Sequence, residues 1–132
     1  GFWPIMGALV GADPALPYPR RLARLKAAGI AVWDVLDRCE RAGSLDSAIV
    51  DATAQANDFA EFFRRHAKLT AVLFNGAKAE VAYRRLGPPL DVFGLRVWRL
   101  PSTSPANASV PFAKKLAAWR EALQAAGVAV SD

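Results

Sequence analysis

Leu100-Pro101-Ser102-Thr103-Ser104-Pro105-Ala106-Asn107 sets three hydroxyl side chains between two prolines. Each proline fixes its φ near about −65°, so the loop is stiff as well as polar. Backbone N–H groups and hydroxyls are the donors that bind phosphate oxygens. The loop follows a β-branched and aromatic run, Leu95-Arg96-Val97-Trp98-Arg99, and precedes an amphipathic helix pattern. It therefore falls at the carboxyl end of a strand, where open α/β sheets bind ligands. Ser102, Thr103 and Ser104 are candidate phosphodiester contacts.

A second polar strand end is Phe74-Asn75-Gly76, which leads straight into a helix with Lys78 in its first turn. A helix N-terminus offers unpaired N–H groups and partial positive charge, which suits a phosphate. Asn and Gly are equally common in ordinary strand-to-helix turns. The third polar strand end is Asp34, after Ile30-Ala31-Val32-Trp33. A carboxylate there can accept a hydrogen bond from a base N–H; on local grounds a cap on the next turn, or a pair with Arg38, is the plainer role. Asp46, flanked by Ser44 and Ser47, reads first as a cap and second as a site residue. His66 reads as a surface residue at a helix C-terminus, favourable to the helix dipole. One His and one Cys cannot build a zinc site, and Cys39 fits a small buried hydrophobe. Phe2 and Trp3 read as core on propensity alone. No metal and no cofactor is expected.

These positions need a scaffold that brings strand ends to one rim. Helix patterns cover 2–10, 18–28, 58–66 and 76–86, and a last one carries Phe112, Leu116, Trp119 and Leu123 inward. Gly11 and Pro14 end the first, Gly29 closes the second, and Asp58 with Glu61 forms a capping box. Short apolar strands are expected at 30–33, 70–74 and 95–100, with 38–56 loop-rich. Strands separated by helices pair in parallel through right-handed crossovers. The expected fold is α/β, a three-layer α/β/α sandwich with a short parallel sheet. Three strands are few for it. The chain opens on Gly1 rather than Met and runs at once into an apolar segment, so a first strand upstream of Gly1 is expected.

The 132 residues suit one domain, 1–132, with a real core. At 53% hydrophobic and 22% charged the chain is globular rather than disordered. Its net charge of +5 leans toward an anionic partner such as nucleic acid. No apolar run is long enough for a membrane span, so no membrane partner is expected. The single cysteine excludes an intrachain disulfide framework and fits a cytoplasmic location.

Six segments occur in order: Phe2-Trp3-Pro4-Ile5-Met6; Gly29 through Leu36; Cys39-Glu40-Arg41-Ala42-Gly43-Ser44-Leu45-Asp46-Ser47-Ala48-Ile49; Asn57-Asp58-Phe59; Phe74-Asn75-Gly76-Ala77-Lys78-Ala79; and Leu100 through Ala106. Each alone is weak; the ordered set resembles the DNA-deoxyinosine (hypoxanthine-DNA) glycosylase branch of the uracil-DNA glycosylase superfamily over nearly the whole chain. The last segment is also similar to the Met-Pro-Ser-Ser-Ser loop of thymine-DNA glycosylases.

The resemblance implies hydrolysis of the N-glycosidic bond of a deaminated base, hypoxanthine before uracil, in base-excision repair. Such an enzyme flips its nucleotide out of the duplex. By the same resemblance Phe2 stacks on the flipped base and Asp34 reads its edge. Asn75, Gly76, Lys78, Ser102, Thr103 and Ser104 then hold the DNA. The family pattern starts with a strand, a Gly-rich loop and a segment ending Asn-x-Phe-Trp, in which Gly1 is the x. The catalytic Asn is thus expected immediately before Gly1, and no catalytic residue is assigned within 1–132. The expected partner is DNA containing deaminated bases, bound by a monomer. Two alternatives stay open: a non-catalytic DNA-binding fragment, and an unrelated doubly wound nucleotide-binding protein, which would need a G-x-G-x-x-G loop absent here.

Overall fold

Glycines and apolar spacing set the helix limits in the computed structural model, which describes residues 1–32 and 59–131. Helix α1 (Phe2–Val10) stops where Gly11 takes φ 79°, and α2 (Tyr18–Ala27) stops ahead of Gly29 at φ 83°. Residues 59–65 form α3. Strand β1 (Ala71–Asn75) leads through Gly76 into α4 (Ala77–Leu86). A 3-10 turn, Asp91–Phe93, precedes strand β2 (Arg96–Leu100), and α5 (Phe112–Ala125) follows the hydroxyl loop. The protein is mixed α/β, with a short parallel sheet of β1 and β2 among the described residues.

The strand expected at 30–33 does not form over 30–32. The Ile30 amide donates to the Leu25 carbonyl at 2.9 Å, and the Gly29 amide to Lys26 at 3.0 Å. This paired closure of the helix end consumes the donor that a ladder would need. Trp33 lies outside the described residues, as does the 38–56 segment.

The chain falls into two compact units: Gly1–Val32 with Leu100–Asp132, and Trp33–Arg99. In the first, α1 packs on α2 and α5, burying Ile5, Met6, Leu9, Leu25, Trp119 and Leu123. The Ser131 amide donates to the Leu9 carbonyl at 2.8 Å and ties the C-terminal tail to α1. The inward stripe of α5 is shifted from the one expected. Phe112, in the first turn, is 49% exposed, whereas Lys115 is 7% exposed and occupies the buried face with Trp119, Ala122 and Leu123.

The second unit is held by aromatic rings. Phe59 and Phe63 of α3, Phe74 of β1, Tyr83 of α4, Leu90 and Leu95 form one buried cluster. The Tyr83 ring meets Phe59 edge-on at 5.1 Å and Phe74 at 5.6 Å, a geometry that aromatic quadrupoles favour. Its hydroxyl donates to the Pro88 carbonyl at 2.7 Å. Gly87 permits this turn, since a Cβ there would lie 2.5 Å from the Tyr83 ring. Glu80 of α4 receives Arg84 at 3.5 Å and Arg99 of β2 at 3.4 Å.

Candidate nucleic-acid interface

The hydroxyl loop is built by its own backbone. The Ser104 amide donates to Ser102 Oγ at 3.2 Å, and the Ala106 amide to Ser104 Oγ at 3.2 Å. Two successive turns of this type are what Ser side chains offer a chain leaving a strand. Each hydroxyl oxygen accepts a backbone N–H here, so its own O–H remains able to donate. Ser102 is half-buried, Ser104 exposed, and Thr103 buried at 3%.

Three side chains beyond the prolines fix this shape. Asn107 Nδ2 donates to the Ser102 carbonyl at 3.2 Å. Lys115 Nζ donates to the Ser104 carbonyl at 3.1 Å. Trp119 Nε1 donates to the Pro101 carbonyl at 3.1 Å. The Asn107 amide also reaches the Ser104 carbonyl, at 2.9 Å. The loop's carbonyls at 101, 102 and 104 are thereby all engaged by protein donors. Carbonyl dipoles left facing an anion would repel it, so their engagement suits a phosphate site.

Phe2 lies in the same unit. Its ring is half-buried, edge-on to Trp3 at 5.1 Å and to Trp119 at 6.3 Å. Trp119 therefore touches Phe2 with its ring and holds Pro101 with its N–H. The structure brings Phe2 and the 102–104 loop together through this one residue.

Asn75, Gly76 and Lys78 lie in the other unit. Asn75 ends β1 and is exposed; Gly76 is buried, with φ 92° and ψ 167°. That region is essentially restricted to glycine. Gly76 is the N-cap of α4, and no side chain caps the helix there. Lys78 is exposed in the first turn. Asp34, Cys39, Ser44, Asp46 and Ser47 fall outside the described residues. His66 is exposed, as expected at a helix end, and its ring lies 4.3 Å from Phe62. Among the described residues no group of His, Cys, Asp and Glu could hold a metal ion. None of the described helices is long and apolar enough to cross a membrane.

Sequence reading missed the loop's inner supports, Asn107 and Lys115. A signal existed for Lys115: it stands four residues before Trp119 on the face that α5 buries, where a lysine needs a partner.

Taken together, the site is a hydroxyl loop at a strand's carboxyl end in an α/β protein, with its carbonyls at 101, 102 and 104 engaged from within the same unit. Comparison with known proteins narrows this. The chain is 36% identical over 107 residues to a hypoxanthine DNA glycosylase of Methanosarcina acetivorans, covering 80% of this chain and 64% of that protein. It is 32% identical over 124 residues to a hypoxanthine DNA glycosylase of Methanosarcina barkeri, covering 93% of this chain and 74% of that protein. No family profile and no solved structure matches it. The chain belongs to the hypoxanthine DNA glycosylase family.

Proposed function

We propose that the protein is a monofunctional DNA glycosylase that hydrolyses the N-glycosidic bond of hypoxanthine, and of uracil, in DNA. The likeness to two hypoxanthine DNA glycosylases over most of the chain carries this reading. The geometry of the 102–104 loop supports it. In the proposed mechanism the nucleotide is extruded from the duplex and Phe2 stacks on its base. Asp34 accepts the N1–H of hypoxanthine or the N3–H of uracil. Ser102, Thr103 and Ser104 grip the flanking phosphates, and Asn75, Gly76 and Lys78 contact the backbone. The bond from the sugar to the base nitrogen breaks with its electron pair leaving on the base. Water then adds to the sugar carbon and loses a proton, and the departed base anion takes one up, so the products are the neutral base and the abasic sugar. The developing charges are stabilised by positioned dipoles rather than by a strong nucleophile, and the group that orients the water is assigned to no residue of 1–132. A complete three-layer sandwich, a single domain, a monomer and a cytoplasmic location belong to the same proposal.

The test is base release by the full-length protein from oligonucleotides carrying a single deoxyinosine or deoxyuridine. Release from the inosine strand is expected, and release from neither would overturn the reading. Asp34→Ala should slow release by about 5- to 150-fold, the cost of roughly 1–3 kcal/mol for a lost buried hydrogen bond. Unchanged release on both substrates would remove Asp34 from the site.

A further inference from the structure

We infer that Lys115 is a positioning residue for phosphate capture: its ammonium, buried behind the hydroxyl loop, fixes the loop's shape and supplies the positive charge that a bound phosphodiester meets. The inference rests on the loop's role proposed above.

The α5 face around Lys115 is apolar: Trp119, Ala122 and Leu123 are all buried there. A leucine or methionine would satisfy that face. Lys114, one position earlier, is exposed, so the helix has a solvent position for a lysine and places a second one inside. Burying an ammonium is unfavourable unless a counter-charge and hydrogen bonds offset the lost hydration. Among the described residues Lys115 has one hydrogen bond, to the Ser104 carbonyl, and no carboxylate pairs with it. A phosphodiester at the loop would supply such a counter-charge. The Ser104 carbonyl takes two donors, Lys115 Nζ and the Asn107 amide. It is therefore withheld from any ligand at the loop, while the Ser102 and Ser104 hydroxyl protons stay available. A charge held against the Ser104 carbonyl by a residue only 7% exposed acts on a phosphate at the loop with less screening than an exposed lysine would. The chemistry that fits is a DNA phosphodiester held tightly beside an extruded nucleotide.

The experiment compares Lys115→Met and Lys115→Arg in the full-length protein. The probe is a short duplex with one tetrahydrofuran abasic site, measured against the same duplex intact. Lys115→Met keeps length and packing but not charge, and should weaken binding to the abasic duplex about tenfold, the scale of one charge-assisted hydrogen bond. Binding to intact duplex should change far less. Lys115→Arg, which keeps the charge, should recover most of the preference. A folded Lys115→Met protein with the wild-type preference would overturn the inference, as would a folded Lys115→Arg protein as impaired as Lys115→Met. Should neither variant fold, the wild-type protein decides: the Lys115 side-chain ammonium resonance should shift on adding the abasic duplex, and an unmoved resonance overturns the inference. Base release by the wild type from the inosine strand, run in parallel, separates the two readings, because it can succeed while the Lys115 inference fails.

Discussion

Replacing Trp119 by Phe isolates the indole N–H that joins α5 to the hydroxyl loop. Phe keeps an aromatic face toward Phe2 and loses the 3.1 Å bond to the Pro101 carbonyl. Pro101 is half-buried, so water can take over part of that carbonyl. The loss therefore falls at the low end of the usual range, about 1 kcal/mol. Trp119 itself is 4% exposed, so the smaller ring leaves unfilled volume, worth about another 1 kcal/mol. The combined destabilisation of about 2 kcal/mol corresponds to a fall of about 8 °C in Tm for a chain of this size. Circular dichroism melts measure it. The same variant should bind abasic-site DNA more weakly, because the strand-to-loop junction has lost its tether. A Tm within about 2 °C of wild type, well inside the expected shift, together with unchanged abasic-site binding, would show that the indole bond neither stabilises the fold nor shapes the loop.

Gly76→Ala should cost about 1–3 kcal/mol, because φ 92° with ψ 167° is closed to a residue bearing a Cβ; urea titration checks this, and a wild-type midpoint would contradict it. Burial pushes the Tyr83 hydroxyl up from 10.0 to about 12, only partly opposed by Arg84. A fold that holds this acid protonated keeps the full contribution below pH 10.0 and loses it as pH rises through about 12. Tyr83→Phe should therefore flatten the decline in urea midpoint over that window, while lowering stability by about 1 kcal/mol at neutral pH through the lost bond to Pro88; an unchanged alkaline slope would refute the assignment. Replacing Ser102 and Ser104 together by Ala should weaken binding to abasic-site DNA more than to intact duplex, and equal losses would reduce the loop to a general phosphate contact.

Local chemistry made much of this legible. Apolar periodicity and glycine placed α1, α2, α4, β1 and β2 within a residue or two, because caps at Gly11, Gly29 and Gly76 act through backbone geometry that the sequence states directly. The strand at 30–33 misled because apolar β-branched composition carries no information about where an amide will bond, and the α2 closure claimed the Ile30 amide first. Phe112 and Lys115 misled because hydrophobicity ranks side chains by transfer from water. It does not register a carbonyl waiting behind a loop. The stiffness and polarity of the 102–104 loop were legible from its hydroxyls and prolines, but its supports at 107, 115 and 119 arrive from residues whose roles depend on tertiary approach.

One consequence of the two-unit division concerns time. The unit that carries Phe2 and the hydroxyl loop is assembled from the first 32 residues and from everything after residue 99. On a ribosome adding about 5–20 residues per second, α1 is made roughly 5–20 s before its partner α5 exists. Through that interval Ile5, Met6 and Leu9 lack the surface that later covers them, whereas Trp33–Arg99 is contiguous and can close as soon as it is made. The unit that carries the hydroxyl loop is thus completed after the contiguous one. Nascent chains held where residues up to 99 have just left the ribosome should accordingly leave 1–32 open to protease while the 59–99 aromatic cluster is already protected; equal protection of both would show that α1 and α2 fold without waiting for α5.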